Sequence, residues 1–353
     1  MKLILHTHQK WYKKRAQQEA RKKQNAGNKR RKKNHSYQMP VYTITMPKVI
    51  YINDKEEHRT PLMESLEKLE ANILQRKKVS LSFAQTTDAS ADGMILVLAT
   101  IHNLTNAHPK NLIRIKRSNF CTPKIKEVLC QIKLFEHLGQ KPPITHTKHQ
   151  DVIDWVQISG TNIDPSNNAR LFDDKRIEGL KNDKLFPALT EALSNSVEHA
   201  YKGQDIDPSH EKWWAFRQIK DNYLTIVVCD LGIGIPESLK IKNEPWFKKI
   251  FHGIPNNAKI DAKAIEQAVQ HSRSRHEDNM PERGKGLPQI LDAINEYNNQ
   301  GYEAVIQISS NYGLLRKRKS KETNNEPPIT HNFKNSIKGT IISWRIPLKL
   351  EDY

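Results

Sequence analysis

Three stretches of this 353-residue chain carry side chains whose types and spacing could do chemistry. The first, residues 187–201, reads PALTEALSNSVEHAY. Glu191, Asn195 and Glu198/His199 follow one another about one helical turn apart. A carboxylate, a carboxamide and an imidazole in a column can serve as base, metal ligand and phosphate contact; a solvated polar face would use the same residues. The second stretch, residues 227–236, reads VVCDLGIGIP: an apolar strand, then Asp230 with Gly232 and Gly234 after it. The third, residues 283–290, reads RGKGLPQI. Glycine amides at the start of a helix make an anion site, and Lys285 adds a point charge.

Glu-x-x-x-Asn-x-x-x-His, Asp-x-Gly-x-Gly and Gly-x-Gly-Leu, in that order, resemble the GHKL ATPase superfamily, which includes histidine kinases, DNA gyrase, the mismatch-repair protein MutL and a heat-shock chaperone. With His-Ala-Tyr at its end, the first motif looks most like the anti-sigma-factor serine kinases. The resemblance covers residues 180–348 and implies a Bergerat-type α/β sandwich that binds ATP and Mg²⁺. It assigns Glu191 as the base and Asn195 as a Mg²⁺ ligand, with a buried structural carboxylate as the alternative for Glu191. His199 would lie near the phosphates, or it is a surface histidine. Asp230 would accept the adenine amino hydrogen, and Gly232 and Gly234 would let the backbone turn beside the base. Arg283, Gly284, Lys285, Gly286 and Leu287 would meet the phosphates, and Thr340 belongs to a Gly-Thr ending like that of the kinase branch. Residues 236–282 match the ATP lid, where Arg273 and Arg275 either reach the phosphates or remain loop charges.

Periodicity supplies the elements that must position these groups. Leu189, Leu193, Val197 and Ala200 form the apolar stripe of the 187–201 helix. Segments 212–220 and 224–229 flank Asp221-Asn222 as a hairpin that delivers Asp230 at its end. A helix over 262–271, a strand over 304–309, a basic loop over 316–335 and a last strand over 339–347 complete this half. Upstream, the pattern predicts strands within 39–53, a helix over 61–76, a strand over 79–83, a helix over 93–104, a strand over 112–115 and a helix over 123–138. That order resembles a STAS-like domain, the fold of anti-sigma-factor antagonists. The loop that carries a phosphorylated serine in that family reads here Thr87-Asp88-Ala89-Ser90-Ala91-Asp92-Gly93, so Ser90 is either a substitute acceptor or a helix cap. The expected fold class is α/β (α+β). Its parts are an arm (1–38), a STAS-like interaction domain (39–142), a connector (143–179) with a strand over 155–158, and a GHKL ATP-binding domain (180–350).

Composition narrows the remaining options. Net charge is +18, and residues 1–36 hold thirteen Lys/Arg against the single acid Glu19. Residues 9–36 therefore form a basic arm that could neutralise nucleic acid phosphates, with Trp11 and Tyr12 for stacking; a solubilising tail is the alternative. Cys121, Cys130 and Cys229 show no paired spacing and read as free thiols, and no zinc-ligand pattern is present. No secretory leader and no long apolar run are expected, which places the protein in the cytoplasm without a membrane. The absence of GxxxxGK[ST] disfavours a P-loop enzyme. Three uses of ATP stay open: an ATPase or conformational switch with a protein or nucleic acid partner, a serine- or histidine-type protein kinase, and a non-hydrolysing binding module. A homo-oligomer also stays open.

Overall fold

A computed structural model describes residues 40–53, 55–117, 120, 122–178, 180, 184–204, 207, 210–242, 260–277, 286–299, 303–318 and 327–348, together with 17–19, 21 and 22. The chain divides into two units, Met1–Val41 and Tyr42–Tyr353. Nearly all of the expected basic arm lies outside the described residues, as do Cys121, Arg283, Gly284 and Lys285. The larger unit is a mixed α/β structure.

Its centre is a seven-stranded sheet in which every neighbouring pair is antiparallel. The strands are β6 (Val156–Gly160), β7 (Trp213–Lys220), β8 (Tyr223–Asp230), β9 (Val305–Ser310), β10 (Gly313–Arg318), β11 (Ile329–Asn332) and β12 (Thr340–Pro347), in the order β11-β10-β9-β12-β8-β7-β6. The β7–β8 hairpin closes through Asp221 and Asn222, both at positive φ (52° and 59°), as a two-residue turn of this hand requires. Segment 316–335, expected as a loop, instead begins in β10 and contains β11 (329–332), because β10 pairs with both β9 and β11. Residues 143–179, expected as a connector, contribute the edge strand β6.

Both faces of the sheet are buried, and the alternation along β7 shows how. Trp213, Ala215 and Ile219 join one core with Leu224, Ile226 and Val228 of β8 and Ile342, Trp344 and Ile346 of β12. Trp214 and Phe216 join the other, with Val227, Cys229 and Ile341. The first face is covered by α7 (Leu185–His199) and α10 (Gly286–Asn299), which pack on each other. Trp344 Nε1 donates to the Ile290 carbonyl at 3.0 Å and so ties α10 to β12.

The second face is covered by the N-terminal half. There β1 (Val41–Thr45), β3 (Lys78–Ser82) and β5 (Ile113–Ile115) form a three-stranded sheet, and β2 (Val49–Ile50) pairs in parallel with β4 (Asp88–Ala89). Helix α1 (Glu56–Leu74) and the apolar helix α2 (Ala91–Ala107) complete this layer. Helix α2 lies on β7 and β8, where Trp214 Nε1 donates to His102 Nδ1 at 3.1 Å. Burial pushes the His102 imidazolium down to about 4, which keeps the ring a neutral acceptor. The two expected domains thus share one hydrophobic core across the sheet. Ser90 caps α2: its hydroxyl accepts from Gly93 N at 3.4 Å and donates to the Ile50 carbonyl at 3.2 Å.

Two helix expectations need correction. Helix α1 starts at Glu56 rather than near Pro61, which sits inside it. The carbonyl that proline leaves unbonded belongs to the exposed Glu57, where water can serve it. The 123–138 segment breaks into α3 (Pro123–Gln131) and α4 (Leu134–His137), because Lys133 adopts φ 55° between them. Two short helices, α5 (Gln150–Ile153) and α6 (Pro165–Ala169), precede α7.

Candidate active site

Helix α7 buries Leu185, Ala188, Leu189, Ala192, Leu193 and Ser196. The expected stripe is buried at Leu189, Leu193 and Ala200 and packs its partly buried Val197 against the same core, with Ser196 joining the buried face. Ser196 Oγ lies 3.2 Å from both Asp230 Oδ2 and the Ala192 carbonyl oxygen, and donates its one proton between them. The Asp230 Oδ1 atom accepts from Gly232 N at 3.0 Å. Asp230 ends β8 opposite Thr340 of β12 and is 6% exposed. Burial raises its carboxyl from 3.8 to about 6, with the Gly232, Ser196 and Thr340 hydrogen bonds pulling the other way. At neutral pH it stays largely ionised, with lone pairs left to accept from a bound donor.

A cavity of about 640 Å³, part of it open to solvent, lies over this carboxylate. Ala192, Val228, Ile235, Leu239, Leu287 and Ile342 give it apolar walls, and Asn195, Ser196, His199, Asp230 and Thr340 supply polar groups. The last helical element of the wall is α8 (Gly234–Lys242). Mostly apolar walls with a buried carboxylate suit an apolar ring that carries a hydrogen-bond donor. The Asn195 Nδ2 atom is buried without a hydrogen-bond partner, so this carboxamide has capacity left for a ligand.

The glycines serve the chain as much as the cavity. A Cβ on Gly232 would stand 2.1 Å from the Ala200 carbonyl oxygen, which accepts from Ile233 N at 2.6 Å. Gly234 lies at φ 79°, and a Cβ there would meet Asn311 Nδ2 at 2.7 Å and Ser310 Oγ at 2.8 Å. Around this loop, Ile235 N donates to Ser310 Oγ at 2.8 Å and Asn311 Nδ2 to the Ile233 carbonyl at 2.8 Å. Gly339 N donates to Asn311 Oδ1 at 3.2 Å, and the Ser310 and Thr340 hydroxyls lie 3.1 Å apart.

Of the residues expected at a site, Asn195, His199, Asp230, Gly234, Leu287 and Thr340 line the one cavity, and Gly232 lies in the loop beneath it. Glu191 does not line it. It is half-buried one turn before Asn195, and burial, followed by the charge of Glu198, raises its carboxyl above the usual range. His199 Nε2 stands 4.0 Å from the Glu198 carboxylate. Gly286 opens α10, and the rest of the basic glycine loop is outside the described residues. Arg273 and Arg275 fall within α9 (Asp261–Glu277) rather than in a loop.

Sequence reading missed Ser196, Ser310 and Asn311. Ser196 carried only a weak signal, as a hydroxyl on the buried face can bond its own helix at the Ala192 carbonyl. Ser310 and Asn311 carried none, because their partners are distant in the chain. Among the described residues no cluster of three His, Cys, Asp or Glu is arranged to hold a metal ion. No helix among them is long and apolar enough to cross a membrane. No protein-family model matches the chain, and no curated protein matches its sequence.

Proposed function

We propose that this protein binds Mg-ATP at the cavity over Asp230, in the manner of the GHKL superfamily that its motifs resemble. The observation that carries the reading is the convergence of Asn195, Asp230, Gly234 and Leu287, drawn from three separate sequence motifs, on one pocket. The arrangement of α7 and α10 on one face of an antiparallel sheet supports a Bergerat-type sandwich. The STAS-like reading belongs to the N-terminal layer on its other face.

In this reading Asp230 accepts from the adenine amino group, and Val228, Ile235 and Ile342 enclose the ring. The Asn195 carboxamide faces the phosphate end and offers its oxygen to Mg²⁺, a cation that takes hard oxygen ligands and supplies charge neutralisation to the phosphates. Glu191 holds a proton-accepting position one turn away, where its raised basicity suits a general base. His199 and the 283–287 motif are assigned the anion contacts. ATP hydrolysis or a nucleotide-driven switch is the preferred activity, with transfer to a partner's side chain as the second reading. Glu191 favours both over a passive binding module.

The test is turnover of ATP labelled at the γ-phosphate by the full chain, beside Glu191→Ala and Asn195→Ala, with and without RNA or DNA. Free phosphate lost in both variants supports the ATPase; label moved to protein supports the kinase. Retention of nucleotide binding by Asn195→Ala at wild-type strength in Mg²⁺ would remove the assigned phosphate-end role.

A further inference from the structure

Arg59 stands on α1, in the layer behind the sheet, and its side chain is fully buried. Its Nη2 donates to the Asn311 carbonyl at 2.6 Å and to the Asn335 carbonyl at 3.3 Å. The guanidinium lies 4.0 Å from the centre of the Phe333 ring. Among the described residues no carboxylate is within ion-pair distance of it, and Nε and Nη1 have no hydrogen-bond partner. Glu56 and Asp261 attract the charge only from beyond ion-pair distance, and burial outweighs them, lowering the guanidinium pKa to about 9; an apolar side chain of similar length would fill the space at less cost.

What Arg59 holds is informative. The Asn311 carbonyl that it grips also accepts from Ile337 N at 3.1 Å, and Asn311 N donates to the Gly339 carbonyl at 3.0 Å. The Asn311 side chain bridges the Ile233 carbonyl and Gly339 N. Ile233 lies between the two glycines of the Asp230 loop, and Gly339 precedes Thr340 in the cavity wall. The rest of α1 engages the same segment. Glu56 accepts from Lys334 N at 3.2 Å, Glu67 accepts from Asn335 Nδ2 at 3.5 Å, and Glu70 pairs with Lys338.

We propose that Arg59 is a positioning residue for the nucleotide cavity. Through Asn311 it sets the Ile233 and Gly339 backbone, so that the N-terminal layer is a working part of the site. The positioning rests on geometry; its consequence for nucleotide rests on the Mg-ATP reading above. Because the burial of Arg59 costs more than its distant carboxylates Glu56 and Asp261 return, its removal is expected to loosen the loops without weakening the global fold.

The test compares full-length wild type, Arg59→Met, Arg59→Lys and Asn311→Gly, the last preserving the positive φ (48°) at that turn. Amide hydrogen exchange is measured without nucleotide, followed by thermal melting and Mg-ATP titration. Arg59→Met should speed exchange about tenfold or more in peptides spanning 231–235 and 336–341, leave the 213–220 peptide unchanged and keep the melting temperature at or above wild type. Arg59→Lys, with one donor in reach, should fall between, and Asn311→Gly should reproduce the same local pattern. Mg-ATP affinity should fall about tenfold in Arg59→Met.

Unchanged exchange in both loops, or a uniform rise with a lowered melting temperature in Arg59→Met and Arg59→Lys, overturns the proposal. If wild type itself binds no nucleotide, the ATP reading fails, while the exchange pattern still decides the positioning role.

Discussion

Replacement of Asp230 by Asn should separate stability from ligand binding, in opposite directions. The carboxyl is buried, and its pKa rises from 3.8 in the unfolded chain to about 6 in the fold. A folded-state pKa above the unfolded one means that the acid contributes stability below the unfolded value and loses it as pH rises through the folded value. The loss runs from about pH 4 to pH 7. A rise of about two units corresponds to roughly 2–3 kcal/mol. Asn cannot ionise, keeps an oxygen for Gly232 N, and escapes that loss. The unfolding free energy of Asp230→Asn relative to wild type should therefore rise by about 2 kcal/mol between pH 4 and pH 7. His102, which is held neutral and loses its stabilising contribution as pH falls from 6.5 toward about 4, acts equally in both proteins and cancels in the difference.

Binding should move the other way. Asn replaces one acceptor oxygen with an NH2 donor and removes the charge, so a purine amino group would lose a charge-assisted hydrogen bond worth about 1.5–3 kcal/mol, or roughly ten- to a hundredfold in affinity. Urea unfolding at four pH values and calorimetric titration with Mg-ATP and Mg-GTP measure both effects. A pH-independent stability difference would refute the argument from burial. Unchanged ATP affinity and unchanged preference over GTP would refute the role of Asp230 in base recognition.

Gly232→Ala should destabilise the fold by about 2–4 kcal/mol, since the new Cβ would meet the Ala200 carbonyl at 2.1 Å, and thermal unfolding would report it. A neutral result there would mean that α7 and the Asp230 loop can part without penalty. Deletion of residues 1–36 should abolish any salt-sensitive binding of RNA or DNA while sparing Mg-ATP binding, as followed by fluorescence anisotropy at rising salt. Equal affinity with and without the arm would locate that binding elsewhere.

Local pattern was enough to determine the parts of this protein that depend on neighbours in the chain. The Asp221-Asn222 turn, the helix that carries Asn195, and Asp230 at a strand end were legible, because turn chemistry, helical period and strand period act over a few residues. The 212–220/224–229 hairpin was legible too, but not what covers the second face of its sheet. Tertiary structure decided the rest. Ser196 joins the buried face of α7 beside the apolar stripe, because the sheet lies on that side. Segment 316–335 starts in strand and carries a second one at 329–332 because β9 and β10 offer edges. Lys133 breaks a helix that period alone would continue. Arg59 reaches Asn311 across 252 residues of chain, and Gln307 Nε2 reaches the Ile52 carbonyl across 255. No local propensity encodes such contacts. They exist because two layers bury the two faces of one sheet, and each layer brings polar groups that must find partners once water is excluded.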